Sequence, residues 1–245
     1  MEIIFDIKGS TGIIILNRPR ALNALNLSMA EQLTKKLKEW EKDNKIKRVL
    51  LRGEGNHFCA GGDVKSVHLS GEHSKLKRDF FSKEYALNLQ IKKFPKPYLS
   101  IWRGVVMGGG VGLSIYGDYR VATEMTKFAM PETSIGFFPD VGGSFFLSKL
   151  QNNIGKYIGL TSEVINSRDL LNFGLATHYC PENKLDDFID NYISDGVVGN
   201  YKTSISSLFS DKKLDFINKN FSGNIHEIFN NIIFSKDPYS ILNKL

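Results

Sequence analysis

The sequence predicts an α/β fold, and three observations support it. Short β-rich runs alternate with segments whose apolar residues recur at helical spacing. Glycine-bearing loops follow two of the predicted strands. The 245 residues, 42% hydrophobic and 24% charged, suit one α/β domain with a helical appendage better than two full domains. The expected division is a core over residues 1–190 and a helical, Asn-rich region over 191–245.

The elements follow in order. Ile3–Asp6 and Ile13–Leu16 read as a hairpin across a Gly-Ser-Thr-Gly turn. Ser28 with Glu31 reads as a capping box opening a helix whose apolar stripe is Met29, Leu33, Leu37 and Trp40. Arg48–Arg52 is a strand, and a second helix runs from Asp79 to Lys93, ended by Phe94-Pro95-Lys96-Pro97. Tyr98–Trp102 is the next strand. The segment after Gly108-Gly109-Gly110 is small and apolar enough for a buried helix. Tyr119–Ala122 and Phe128–Met130 read as further strands, and a helix is expected near Val141–Leu150.

Composition excludes several classes. The formal charge is +6 and the sequence pI about 9.1, but Lys and Arg are scattered and form no run of the kind that binds nucleic acid. A basic surface also suits a phosphorylated ligand. With only Cys59 and Cys180, neither a disulfide framework nor a cysteine-based zinc pattern exists, and His68 and His73 have no cysteine pair to join. No metal is expected. No stretch is long and apolar enough to cross a bilayer, and the first residues lack a signal or transit pattern. A reducing, cytoplasmic compartment is the expectation.

The candidate chemistry sits in two loops and two acids. Cys59-Ala60-Gly61-Gly62-Asp63 and Gly108-Gly109-Gly110 each follow a strand. A glycine admits a ligand close to the backbone, and two converging N–H groups make an oxyanion hole. Neither loop is a dinucleotide fingerprint or a P-loop; taken singly, each reads first as a tight turn or close helix packing. Glu132 and Asp140 share one loop among apolar residues, where desolvation raises a carboxyl pKa and a pair can divide acid and base duties. Two structural alternatives stay open: Glu132 favouring a helix N-terminus and Asp140 N-capping the following helix.

Asn17-Arg18-Pro19, Leu22-Asn23-Ala24-Leu25, Phe58-Cys59-Ala60-Gly61-Gly62-Asp63, Gly108-Gly109-Gly110 and Gly174-Leu175-Ala176 resemble, in order and spacing, the crotonase (enoyl-CoA hydratase/isomerase) superfamily over roughly residues 1–190. That resemblance implies a spiral of repeated ββα units with a C-terminal helical region. Within the superfamily, the stretches Gly109–Ser114, Phe128–Gly136 and Phe138–Gly143 resemble 3-hydroxyisobutyryl-CoA hydrolases. Carried over position by position, Gly62 and Gly109 supply the oxyanion-hole amides. Backbone at Gly62, Asp63, Val64 and Lys65 grips coenzyme A. Glu132 is the main catalytic carboxylate, Asp140 its partner, and Glu84 a further acid that reaches substrate. Hydratases of this superfamily carry a second catalytic Glu four residues after the first glycine of their triplet; here that position is Gly112, so double-bond hydration is disfavoured.

The function implied is thioester hydrolysis of 3-hydroxyisobutyryl-CoA within valine breakdown. Coenzyme A belongs to the substrate, no separate cofactor is implied, and a trimer-type homo-oligomer is compatible. The alternatives are an enoyl-CoA isomerase of the same superfamily and a non-catalytic RNA-binding module. Hydrolases of this type continue for on the order of a hundred residues more, past a typical single-domain length, so a fragment or short form is expected. The closing apolar run, Tyr239 to Leu245, reads as helix-like.

Overall fold

The computed structural model describes residues 1–71 and 73–228; the helix-like reading of 239–245 lies outside them. In chain order the elements are β1 (Ile3–Lys8), β2 (Thr11–Leu16), α1 (Leu27–Lys42), β3 (Arg48–Gly53), α2 (Val64–Leu69), α3 (Leu76–Lys93), β4 (Tyr98–Trp102), β5 (Val105–Met107), α4 (Gly109–Gly112), β6 (Tyr119–Ala122), β7 (Lys127–Ala129), α5 (Gly143–Leu147), α6 (Ile154–Thr161), α7 (Ser167–Asn172), β8 (His178–Tyr179), α8 (Leu185–Asp195) and α9 (Asp211–Asn220).

A six-stranded sheet runs β1-β2-β3-β4-β6-β8. The β1–β2 hairpin is antiparallel, and every other pairing is parallel. A second, two-stranded parallel sheet joins β5 to β7, and parallel bridges Leu25–Gly62 and Cys59–Val106 extend the same layer. Each turn of the chain therefore lays one strand in the large sheet and one extended segment in the small layer before a helix returns it. This is the repeated ββα spiral. Parallel neighbours require such long crossovers, because a tight turn joins only antiparallel strands.

Strands β3 and β4 are apolar on both faces because both are covered. Leu50, Leu99 and Ile101 pack with Phe188 and Tyr192 of α8 on one side. Val49, Leu51, Tyr98 and Trp102 meet the larger core, with Leu33, Leu37 and Trp40 of α1, on the other. Residue 190 thus falls inside a helix that covers the sheet.

The structure differs from the sequence expectation at four places. Asn26, not Ser28, N-caps α1, its side chain accepting the Met29 N–H; both residue types cap well, and the helix starts one turn's fraction earlier. Helix α3 begins at Leu76 rather than Asp79. The helix expected at 141–150 shrinks to Gly143–Leu147, because Val141 and Gly142 hold positive φ angles of 44° and 81° that no right-handed helix contains. Residues 196–209, expected to be helical, form no helix.

The recurrent Asn17–Leu25 stretch braces the first glycine loop. Asn23, fully buried at φ 57°, accepts the Arg18 N–H and donates to the carbonyls of Glu54 (2.9 Å) and His57 (2.7 Å). Arg18 in turn reaches the Ala24 carbonyl and the Asp63 carboxylate. An alanine at 23 strands three backbone groups and keeps an unfavourable left-handed residue. Asn23→Ala is expected to destabilise the fold by roughly 3 kcal/mol, read as a fall in the urea midpoint at unchanged slope.

Candidate active site

Two backbone amides converge where the glycine loops meet. Gly109 opens α4, so its N–H has no intrahelical acceptor. Neither it nor the Gly62 N–H donates a hydrogen bond to any described residue. The loops lie against each other so closely that a Cβ built on Gly109 would sit 3.0 Å from the Gly62 nitrogen and collide with Glu84 Oε1. Only glycine fits there. Gly108 beside it adopts φ 47°, the left-handed region where L side chains are strained.

Three carboxyl groups line the same cleft as these amides. Glu132 follows β7 and opens a 3-10 turn over Glu132–Ile135; it is 7% exposed, and Oε2 has no partner among the described residues. Its Oε1 lies against Gly108, 2.9 Å from where a Cβ would stand. Glu84, on α3, is 2% exposed with Oε1 unpartnered, and it borders both Gly62 and Gly109. Asp140 accepts a 2.8 Å hydrogen bond from the Tyr85 hydroxyl at Oδ2. All three line one cleft of about 380 Å³ together with Gly62, Gly109, Val64, Phe80, Phe81 and Phe137.

Burial is the main electrostatic force in this cleft. It pushes the Glu84 pKa up to about 8, with the charges of Asp140 and Glu132 adding to the rise. Glu132 is pushed up to about 7, again chiefly by burial and further by Asp140. Asp140 is also raised by burial, against which the Tyr85 hydrogen bond works. Like charges this close are not all ionised together at neutral pH, so the cleft holds both proton donors and acceptors, the condition for acid–base work.

Of the residues singled out by sequence, Gly62, Gly109, Glu84, Glu132, Asp140 and Val64 meet in this cleft; Asp63 and Lys65 do not line it. Asp63 instead caps α2 and pairs with Arg18 at 2.9 Å. Burial raises its pKa, but these hydrogen bonds outweigh it and hold the carboxyl below its usual range. Lys65 is exposed on α2. Glu132 does open a helical turn, as its structural alternative required, yet its side chain turns into the cleft. Asp140 does not cap α5, which Gly142 precedes without a side-chain bond. Sequence reading missed Tyr85 as the partner of Asp140, since 55 residues separate them and no local pattern links them. His68 and Lys77 also line the cleft. Among the described residues, no three His, Cys, Asp or Glu side chains are placed so that they could hold a metal ion.

Gly112 has a structural cause. A Cβ there would meet Val141 Cβ at 2.7 Å and Asn88 Nδ2 at 2.9 Å. The space of a longer side chain at 112 is occupied by Val141, the residue after Asp140.

The spiral fold and a cleft of paired glycine amides with buried acids define the class of this α/β protein. A model of the "Enoyl-CoA hydratase/isomerase" family matches residues 11–239, and the chain belongs to that family, the crotonases. It is 46% identical to "3-hydroxyisobutyryl-CoA hydrolase, mitochondrial" of Danio rerio over 76% of this chain and 49% of that protein. To the Homo sapiens protein of the same name it is 39% identical, over 100% of this chain and 69% of that one. The match therefore spans 49% to 69% of the length of these relatives. Among solved structures, an enoyl-CoA hydratase from Rhodobacter sphaeroides superposes with a TM-score of 0.90 at 31% identity, covering 100% of this chain and 74% of that one.

The raised acids carry a stability signature. A carboxyl with a folded pKa near 8 and an unfolded value near 4.5 binds its proton more tightly in the folded state. Its favourable contribution is complete below pH 4.5 and is lost as pH rises through 8. Glu84→Gln removes that loss. The variant is expected to gain stability over the parent by a few kcal/mol between pH 5 and pH 9, seen as a widening Tm gap in thermal melts.

Proposed function

We propose that this chain hydrolyses an acyl-CoA thioester, with 3-hydroxyisobutyryl-CoA as its substrate. The observation that carries the reading is the convergence of the unpaired Gly62 and Gly109 amides with Glu132, Asp140 and Glu84 in one cleft. The relatives' names supply the acyl group.

In this reading the thioester oxygen rests on the two amides, which gain most as negative charge builds on it. Glu132, with a pKa near the operating pH, takes a proton from water as the water oxygen attacks the carbonyl carbon. The tetrahedral oxyanion then collapses. The C–S bond breaks, sulfur leaves with the proton returned by Glu132, and the products are the free acid and the CoA thiol. Glu84, protonated at neutral pH, donates rather than repels at the amide site. Asp140, held by Tyr85, receives the acyl hydroxyl. Gly62, Asp63, Val64 and Lys65 offer their backbone to coenzyme A, and the apolar wall of Phe80, Phe81 and Phe137 keeps bulk water from the carbonyl.

A second reading, isomerisation of an enoyl-CoA, is favoured by Asp140, a second acid in the cleft able to shuttle a proton beside Glu132. Only that reaction turns trans-3-enoyl-CoA into a conjugated, ultraviolet-absorbing product.

The expected result is thiol release from 3-hydroxyisobutyryl-CoA, rising with pH through about 7 as Glu132 ionises. Glu132→Gln lowers kcat by about 10³-fold with the fold intact. Well-folded protein that frees no thiol from any of a panel of acyl-CoAs rejects the reading. Separately, Gly109→Ala places a methyl group between the amide and Glu84 and is expected to cost about 10²–10³-fold in kcat, measured in the same thiol assay.

A further inference from the structure

Helix α3 holds the loop that carries both Glu132 and Asp140. Phe81 and Tyr85 stand one turn apart on one face of the helix, their rings 5.9 Å apart. Phe81 stacks on Phe137 of the loop, with ring centroids 5.7 Å apart. Tyr85 donates its hydroxyl to Asp140 Oδ2 at 2.8 Å. An aromatic contact and a hydrogen bond thus fasten the same loop to α3, one on each side of Phe138 and Pro139.

The main chain at Asp140 is fixed as well. Its carbonyl accepts the Gly143 N–H at 2.6 Å, and the next carbonyl, of Val141, accepts the Tyr116 hydroxyl at 2.9 Å. What remains free is rotation of the carboxylate itself, and the Tyr85 bond restrains it. Among the described residues no Lys or Arg pairs with Asp140. A cation would orient the carboxylate and cancel its charge, whereas a phenol orients it and leaves the charge in place. That phenol keeps its proton, because burial and then the Asp140 bond push its pKa up. Tyr85 does not line the cleft, and Asp140 does. With Oδ2 taken from behind, Oδ1 is left for a ligand. A charged acceptor held in this way suits an O–H donor, and an analogue without one leaves it unpaired.

We propose that Tyr85 sets acyl specificity through Asp140, turning one carboxylate oxygen to the cleft and so selecting acyl groups that carry a hydroxyl. The inference rests on the hydrolase reading for the acyl-CoA. It adds that the preference for a hydroxylated chain is set from outside the cleft, by a residue of α3 that touches no substrate. Tyr85 is thus a positioning residue. Without its hydroxyl the Asp140 carboxylate turns freely, and the fixed acceptor that tells one acyl group from another is lost.

The test compares thiol release from 3-hydroxyisobutyryl-CoA and isobutyryl-CoA, a pair that differs by one hydroxyl. The wild-type protein is expected to favour the hydroxylated thioester in kcat/KM by at least about ten-fold. Tyr85→Phe keeps the ring against Phe81 and removes the hydroxyl. It is expected to lower that ratio by about ten-fold, the loss falling on the hydroxylated substrate. A merely structural role would slow both substrates alike and leave the ratio where it was. A wild-type protein without the preference, or an unchanged ratio in folded Tyr85→Phe, overturns the proposal. Should that variant fold poorly, Asp140→Ala carries the test in binding. Dissociation constants for the same pair, measured with Glu132→Gln also in place to suppress turnover, must then converge, and a retained preference overturns the proposal. A wild-type protein that frees no thiol from either thioester, yet binds the hydroxylated one more tightly until Tyr85→Phe removes the difference, rejects the hydrolase reading and leaves the selection of the hydroxyl standing.

Discussion

The site depends on one backbone pairing. Cys59 and Val106 lie side by side as parallel strands, with the Cys59 N–H donating to the Val105 carbonyl and the Met107 N–H to the Cys59 carbonyl, both at 3.0 Å. Gly62 stands three residues beyond one member of this pair and Gly109 three beyond the other, so equal offsets bring the two amides to one level. The outer side of the first loop is fixed in the same way, as Leu25 donates to the Gly61 carbonyl and accepts the Asp63 N–H. Backbone bonds of this kind are indifferent to side chains, so what the sequence must specify is smallness. A Cβ on Gly110 would lie 2.5 Å from the Cys59 carbonyl oxygen and push the loops apart.

Holding two amides without acceptors and three acids without full solvation costs stability, and the surrounding fold offsets it. Phe80 packs against Gly62, and the Glu132 loop is clamped from outside by the contact of Thr133 with Ser162 at 2.9 Å. The same burial that makes the acids costly makes them useful, because it lifts Glu132 to about 7 and Glu84 to about 8. It also silences the nearby thiol: burial pushes Cys59 up to about 12, so the cysteine between the two loops is packing material and not a nucleophile.

Local pattern and tertiary placement were unequally legible in the sequence. The α1 stripe of Met29, Leu33, Leu37 and Trp40 is buried as its spacing required, because a sustained 3.6-residue period has one physical solution. The strands at 98–102 and 119–122 likewise fall where apolar runs placed them. Capping residues were harder, since Asn26 and Ser28 are both competent and only the packing of Leu27 onto the core chooses between them. The run at 196–209 is rich in Gly, Val, Ser and Thr, poor helix formers, and is held by long-range contacts, the Tyr201 N–H donating to the Tyr179 carbonyl and the Leu208 N–H to the buried Asp169. For the site, glycine loops and acids were visible as types. The Tyr85–Asp140 bond was not, because it joins a helix to a loop across the spiral.

The glycine at 112 and the conformation of Val141 depend on each other. A β-branched residue at φ 44° is strained, and it persists because its side chain is buried against Gly112 and its carbonyl accepts the Tyr116 hydroxyl at 2.9 Å. A carboxylate at 112 would need the volume that Val141 fills. Glycine at 112 therefore leaves room for the 139–142 loop to fold inward, and the inward loop sets Asp140 against Tyr85 in the cleft. Asp140 thus reaches the cleft from the loop beyond Glu132 and not from α4, at the cost of one strained residue.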